Sequence, residues 1–274
     1  MIELGIVETR SIISVIANKY NYDFSDYALT SLKRRLELII DQLNIKHIDV
    51  LINKLSDDNA FFDLFIDSLS VPSSEMFRDP SFWRMMHDEI IPQLMEETCG
   101  NLKIWLPNSV SGDELYSLTI LLSEMNLLDK VQIQVSSLSN KSIDNIKSGI
   151  IAQPKLEISI DNYTRANGLF ELPKYLTDKG GLIFRDTSLI SGVTFFKQNT
   201  FLEPMPQNIR LVLFRNKMIY YNLTLQAKVL KNLLQTIPVG GRLIIGTKES
   251  LTNVFSNNDF ALISNSESIY KRRA

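Results

Sequence analysis

Apolar residues recur at helical spacing through the first quarter of the chain. Leu32, Leu36, Ile39, Ile40 and Leu43 form one such stripe, and Phe61, Leu64, Phe65 and Leu69 form another after Asp57 and Asp58. No segment before residue 100 alternates clearly, so a helical module is expected there, with Val71-Pro72-Ser73-Ser74 as its exit. Beyond residue 100 short apolar runs alternate with amphipathic helices, the pattern of a mostly parallel sheet covered on both faces. LKIWL (102–106), VQIQV (131–135), IRLVLF (209–214) and RLIIG (242–246) read as strands. Helices are expected over 114–125, where Leu115, Leu118, Leu122 and Met125 share a face, around 140–148, and over 225–237, with Val229, Leu233 and Ile237 in line. FALIS (260–264) and SIYKR (268–272), joined by a polar turn, predict a terminal hairpin and hence an antiparallel edge strand. Residues 150–195 carry weaker periodicity and read as an insertion in which KLEISI (155–160) and GGLIFRD (180–186) are strand candidates. The expected division is a helical unit over 1–72 and an α/β unit over 73–274.

In open sheets of this kind ligands sit beyond the carboxyl ends of the strands, where strand order reverses. The segments to search are therefore Pro107 to Glu114, Ser136 to Ser139, and Phe214 to Asn216. The first holds a single glycine, Gly112, whereas a dinucleotide fingerprint needs three, and no Gly-Lys-Ser/Thr phosphate loop is present. A phosphate-free ligand makes fewer demands on such a turn.

Composition narrows the choice further. The 274 residues carry a net charge of −2, which leaves no basic footprint for nucleic acid. No apolar run reaches the length of a membrane span, and MIELGIVETR lacks a signal-peptide pattern, so a cytoplasmic location is expected. Cys99 is the only cysteine, and His47 and His87 stand apart from any ligand partner, so no metal site is expected.

Several segments in order resemble the CheR-type chemotaxis methyltransferases: Ser74-Glu75-Met76-Phe77-Arg78-Asp79, Ile104-Trp105, Gly112-Asp113-Glu114-Leu115-Tyr116-Ser117, Phe214-Arg215-Asn216-Lys217-Met218-Ile219-Tyr220-Tyr221, Gly240-Gly241 and Gly246-Thr247-Lys248-Glu249. The resemblance spans roughly residues 25–273 and includes the helical module with its Lys33-Arg34-Arg35 cluster. It implies a class I methyltransferase-like, Rossmann-like seven-stranded sheet behind a helical N-terminal domain, with residues 150–195 in the place of a small β-subdomain. It also implies S-adenosylmethionine as cofactor, S-adenosylhomocysteine as product, and methylation of glutamate carboxylates on a signalling protein. A chemoreceptor-like or kinase-associated helix would dock on the N-terminal domain, with neither nucleic acid nor membrane insertion involved. By the same resemblance Ser74, Arg78, Gly112, Glu114, Ser137, Asn199, Arg215 and Asn216 bind the cofactor, and Arg78 and Tyr220 serve catalysis.

Three departures from the family stand out. Pro72 and Ser74 replace its usual Asn and Thr. Leu106, Pro107, Asn108 and Ser109 replace small residues before its Gly-Glu-Glu-Pro-Tyr-Ser. Ser137 and Ser139 stand where acidic residues close the second strand, at the post that grips the ribose; losing a charged acceptor costs about 1.5–3 kcal/mol, about tenfold to hundredfold in affinity. Glutamate is already ionised at neutral pH, so the chemistry needs positioning more than a strong base, and the scarcity of histidine is no objection. The alternative reading is a catalytically degenerate adaptor or sensor with weak or no cofactor binding.

Overall fold

The computed structural model describes residues 3–69, 75–198, 205–251 and 259–274. Four helices open the chain: α1 (Ile6–Tyr20), α2 (Leu29–Gln42), α3 (Ile48–Asp57) and α4 (Asn59–Leu69). Ile12, Ile16, Leu36, Ile39, Leu51, Leu55, Phe65 and Ile66 close a core of their own, joined from outside by Leu138 alone among the fully buried residues. After the undescribed stretch come α5 (Pro80–Met85), a π turn (Met86–Ile90) and α6 (Ile91–Glu97).

The sheet follows. Its elements are β1 (Leu102–Leu106), α7 (Asp113–Glu124), β2 (Val131–Ser137), α8 (Asn140–Ser148), β3 (Ile150–Ile151), α9 (Leu156–Arg165), β4 (Leu176–Lys179), β5 (Leu182–Arg185), β6 (Thr194–Lys197), β7 (Leu211–Phe214), α10 (Leu223–Thr236), β8 (Arg242–Ile245), β9 (Phe260–Ser264) and β10 (Ile269–Arg272). Seven strands lie in the order β6-β2-β1-β7-β8-β10-β9. β1 pairs in parallel with β2 on one side and β7 on the other, so the order reverses between β1 and β7. Alternate residues feed opposite faces, as strand geometry requires: Ile104, Leu106, Leu211 and Leu213 enter one core and Trp105, Val212 and Phe214 the other.

The expected architecture is present: a helical module, then a mostly parallel seven-stranded sheet with an antiparallel element at its C-terminal end. The hairpin differs in one respect. β10 pairs antiparallel with both β8 and β9, so the antiparallel strand lies one place in from the edge and β9 is the edge itself. A second sheet, β3-β5-β4, is antiparallel and falls within 150–195. GGLIFRD contains β5, but KLEISI is helical, not a strand. Its short alternation is overridden by Leu156, Ser159, Ile160 and Tyr163, which recur at helical spacing and turn inward. Thr194–Lys197, which straddles the end of the expected insertion, is a strand of the main sheet. No helix among the described residues is long and apolar enough to cross a membrane.

Backbone and side-chain bonds fasten the helical module to the sheet. Tyr22 Oη donates to the Leu138 carbonyl at 2.7 Å, Ala28 N–H to Tyr220 O at 2.8 Å and Asn222 N–H to Asp26 O at 2.9 Å. The Asp67 carboxylate of α4 accepts from Ser142 Oγ (2.5 Å) and Ser139 Oγ (3.3 Å) at the start of α8. The module thereby covers the carboxyl ends of β1, β2 and β7.

Candidate functional site

Where the strand order reverses, a hollow of about 1070 Å3, open solvent included, lies between the sheet and the helical module. Its floor comes from the loops after β1 and β7. Its roof comes from the module, chiefly Phe24, Tyr27, Leu32 and Arg35.

The β1 loop is held by Ser109 N–H donating to Ser136 O at 2.8 Å. Asn108 adopts the left-handed conformation (φ 51°), which asparagine tolerates better than most residues. Gly112 (φ 75°) precedes α7, and a Cβ there would stand 3.0 Å from Ile146 Cγ2. The lone glycine therefore serves both the turn and the close packing of α8. Glu114 follows in the first turn of α7, where the helix dipole favours an acid.

Arg215, just beyond β7, bridges two segments. Its guanidinium reaches Asp79 Oδ2 at 2.5 Å and Glu114 Oε1 at 3.3 Å, and it lies 4.0 Å over the Phe82 ring. Arg78, one residue before that aspartate, lines the hollow and pairs with Glu75 at 3.8 Å. The segment is pinned from below: Phe77 N–H donates to Ser117 Oγ at 2.8 Å and Asn162 Nδ2 to Met76 O at 3.2 Å. Asn216 (φ 57°) is fixed by its N–H donating to Glu249 Oε2 at 3.0 Å.

The structure thus gathers Arg78, Gly112, Glu114, Arg215, Asn216 and Tyr220 around one hollow. Ser74 and Asn199, with Pro72, lie outside the described residues. Ser137 is not in the lining. It is buried, and its hydroxyl has no hydrogen-bond partner among the described residues; Leu138 presents itself to the hollow instead. Ser139 caps α8, accepting from Ser142 N–H at 3.0 Å.

Sequence reasoning missed three contributors. The Tyr27 and Tyr221 hydroxyls are hydrogen-bonded to each other, and Tyr221 also accepts from Asn108 Nδ2 at 3.5 Å. Burial pushes the Tyr221 phenol up to about 12 and raises Tyr27 well above the ordinary range, so both are neutral. This chain forms a wall between the main hollow and a smaller one of about 350 Å3 that reaches Gln198 and Leu225. Lys217, the second contributor, lines the hollow, and its ammonium donates to Pro107 O at 2.5 Å. The third, Glu249, organises the β7 loop from outside the lining. Glu249 lies in the segment Gly246-Thr247-Lys248-Glu249, and Lys217 and Tyr221 lie in the segment 214–221; Tyr27, 194 residues from its partner, gives no such signal.

The site can grip a ligand bearing an ammonium through Glu114, and a carboxylate through Arg78. Polar side chains of Asn108, Ser109 and Ser111 line the middle, and Asn108 Oδ1 is a buried acceptor with no partner among the described residues. That set fits an amino-acid-bearing nucleoside such as S-adenosylmethionine, with one difference from the expected arrangement: no carboxylate stands at the end of β2.

Residues 72–269 match the family model described as CheR methyltransferase, SAM binding domain, and residues 8–70 match CheR methyltransferase, all-alpha domain. The chain is 32% identical over 245 residues to a Pseudomonas putida protein named as the methyltransferase Cher3, covering 89% of each. It is 22% identical over 239 residues to the chemotaxis protein methyltransferase of Listeria innocua, covering 87% of this chain and 88% of that one. Among solved structures, the N-methyltransferase NodS from Bradyrhizobium japonicum superposes with a TM-score of 0.39 at 11% identity, over 72% of this chain and 99% of that chain.

Proposed function

Because the chain belongs to the CheR methyltransferase family, we propose that it is an S-adenosylmethionine-dependent methyltransferase acting on glutamate carboxylates of a signalling protein. The observation that carries this reading is the convergence of Arg78, Glu114, Arg215, Asn216 and Tyr220 on one hollow at the switch point, beneath a helical roof. In this reading residues 1–72 form the roof and docking surface for a partner helix, residues 73–274 form the catalytic unit, and the protein works in the cytoplasm.

The cofactor supplies an activated methyl group on a sulfonium. Glu114 would hold its amino group, Asn216 with Asn199 would fix the adenosine end, and Ser74 and Gly112 would complete the cofactor-binding set. Arg215 holds Glu114 and Asp79 in place. Arg78 and Tyr220 would orient the acceptor carboxylate toward that methyl group. The acceptor is already an anion at neutral pH, so the residues of this chain have no proton to move. The chain's task is to hold the carboxylate in line with the methyl group and exclude water.

Calorimetric titration with S-adenosylmethionine and S-adenosylhomocysteine tests the binding step, and labelled-methyl transfer to co-encoded receptor or kinase proteins tests the chemistry. Arg78→Ala is expected to lower kcat/KM for transfer about a hundredfold through lost positioning; unchanged transfer removes Arg78 from the mechanism. Ser137→Asp places an acid behind the lining of the hollow instead of in it and is expected to leave S-adenosylmethionine affinity unchanged. The same variant should lower stability without ligand, because Ser137 is buried and a carboxylate there is desolvated. A gain of about tenfold or more in Ser137→Asp would mean that the end of β2 turns its side chain to the ligand after all.

A second reading is supported by the wall of Tyr27, Tyr221 and Asn108, by the Lys217 ammonium and by the uncharged end of β2. Together they narrow the nucleoside path and suit an adaptor that retains the fold without the cofactor. Absence of binding at millimolar cofactor selects it.

A further inference from the structure

Lys217 is an unusual tenant of a cofactor hollow. Its stem runs beside the Phe214 ring, with the ammonium 5.4 Å from the ring centroid, and the ammonium crosses from the β7 loop to the Pro107 carbonyl on the β1 loop. It makes no ion pair within 4 Å among the described residues. The nearby carboxylates are engaged elsewhere: Glu114 is paired with Arg215, and Glu249 accepts four backbone N–H groups. Asp113, at the head of α7, is paired with Arg185 and Lys155.

The other groups facing the hollow add no free negative charge. Arg35 and Tyr27 come from the roof, Arg78 from the segment before α5, and Tyr220 and Tyr221 from the β7 loop itself. The ammonium is therefore met by one carbonyl dipole, an aromatic ring and the residual field of two engaged acids. Burial lowers its pKa from the ordinary lysine value, with Glu114 and Glu249 opposing that shift and Arg215 adding to it.

A ligand seated in this hollow shares it with the Lys217 side chain, in surroundings where like charges repel more strongly than in water. S-Adenosylmethionine carries one more positive charge than S-adenosylhomocysteine, and that charge sits on the sulfur at the reacting centre. We propose that Lys217 is a charge discriminator: seating the sulfonium cofactor requires its ammonium to release a proton to solvent, whereas seating the neutral thioether product does not. The proposal rests on the cofactor reading above. Its consequence is that affinity for the cofactor rises with pH, and that product is retained preferentially at low pH.

The sign follows from linkage. Cofactor binding lowers the Lys217 pKa further, so affinity climbs between the bound-state pKa and the free-state pKa, by at most about tenfold per pH unit, and is flat outside that window. Calorimetric titrations of both ligands across about pH 6.5 to 9.5, in buffers of different ionisation enthalpy, measure the affinities and the protons released. Lys217→Met keeps the apolar stem without the charge and serves as the reference that removes any contribution from the ligand's own amino group. Lys217→Arg keeps a charge that cannot titrate.

Relative to Lys217→Met, the wild type should show a ratio of cofactor to product dissociation constants that falls several-fold with rising pH, with up to about one extra proton released. Lys217→Arg should bind cofactor more weakly than Lys217→Met at every pH. A wild-type ratio that is independent of pH and equal to that of Lys217→Met overturns the proposal while leaving the cofactor reading intact. If neither ligand binds any of the three proteins, the cofactor reading falls and this proposal with it. Cofactor binding to Lys217→Met but not to the wild type supports it.

Discussion

Replacing Glu249 with alanine is expected to destabilise the protein by about 3–5 kcal/mol and to abolish ligand binding. The Glu249 carboxylate accepts from the N–H groups of Asn216 (3.0 Å), Met218 (2.6 Å), Ile219 (3.2 Å) and Gly246 (2.6 Å). One side chain thus ties the loop after β7 to the loop after β8. The Met218 and Gly246 bonds are buried, and a buried donor left without an acceptor costs about 1–3 kcal/mol. Contributions from one cluster do not simply add, which places the total nearer the middle of their sum. The fit is tight as well as polar: a Cβ at Gly246 would stand 2.6 Å from Asn216 Oδ1 and 2.8 Å from Glu249 Oε2. Without the carboxylate the loop loses the restraint that aims Arg215, Asn216 and Lys217 at the hollow. Glu249→Gln should recover part of the stability, because its amide oxygen still accepts while its NH2 group confronts another donor. Denaturant midpoints and calorimetry on the three proteins check this. A Glu249→Ala protein within about 1 kcal/mol of wild type that still binds ligand would show that the loop is ordered by other means.

How much of this was readable in the amino-acid order depends on the range of the interaction. β1 was legible as LKIWL and α7 to within a residue at each end, because a strand buried on both faces and a helix behind it leave dense local patterns. The loop positions followed from topology alone: once the first strand is found, its carboxyl end is where a ligand can sit. KLEISI misled because six residues of alternation do not reveal that Tyr163, three residues further on, completes a helical stripe. Thr194–Lys197 is too short to stand out, and its place beside β2 is set by pairing across more than fifty residues.

The site was legible where it consists of motif residues and silent where it consists of encounters. Arg78, Glu114 and Asn216 lie in recognisable segments. Tyr27 meeting Tyr221, or Asp67 meeting Ser139 and Ser142, requires the helical module to be folded onto the sheet first. The two serines that replace acids at the end of β2 have different fates for the same reason. Ser139 is taken up as a helix cap, and Ser137 is buried without a partner among the described residues. No property of the two serines themselves distinguishes them; their positions do, one closing β2 and the other capping α8.

Asp113→Ala is expected to cost about 3–5 kcal/mol, by the mechanism that makes a broken buried ion pair more harmful than an absent one. The Asp113 carboxylate is 1% exposed and the Arg185 side chain 3%. Asp113 Oδ1 accepts from Arg185, while Oδ2 accepts from Ser111 Oγ at 2.7 Å with Lys155 Nζ 3.8 Å away. This pair joins the start of α7 to β5 of the smaller sheet. With the carboxylate removed, the guanidinium keeps the Ile150 carbonyl at 2.9 Å and the Tyr116 ring at 5.1 Å, neither of which neutralises its charge. For a chain of this size a loss of that order lowers Tm by roughly 10 °C. The double variant Asp113→Ala with Arg185→Met should melt above the single variant, since an apolar stem in that position carries no desolvated charge. Thermal melts of wild type, both single variants and the double variant form the cycle that isolates the pair. If the double variant melts no higher than Asp113→Ala, the stranded guanidinium is not the cause, and the loss belongs instead to the Ser111 and helix-start contacts that Asp113 makes on its own side.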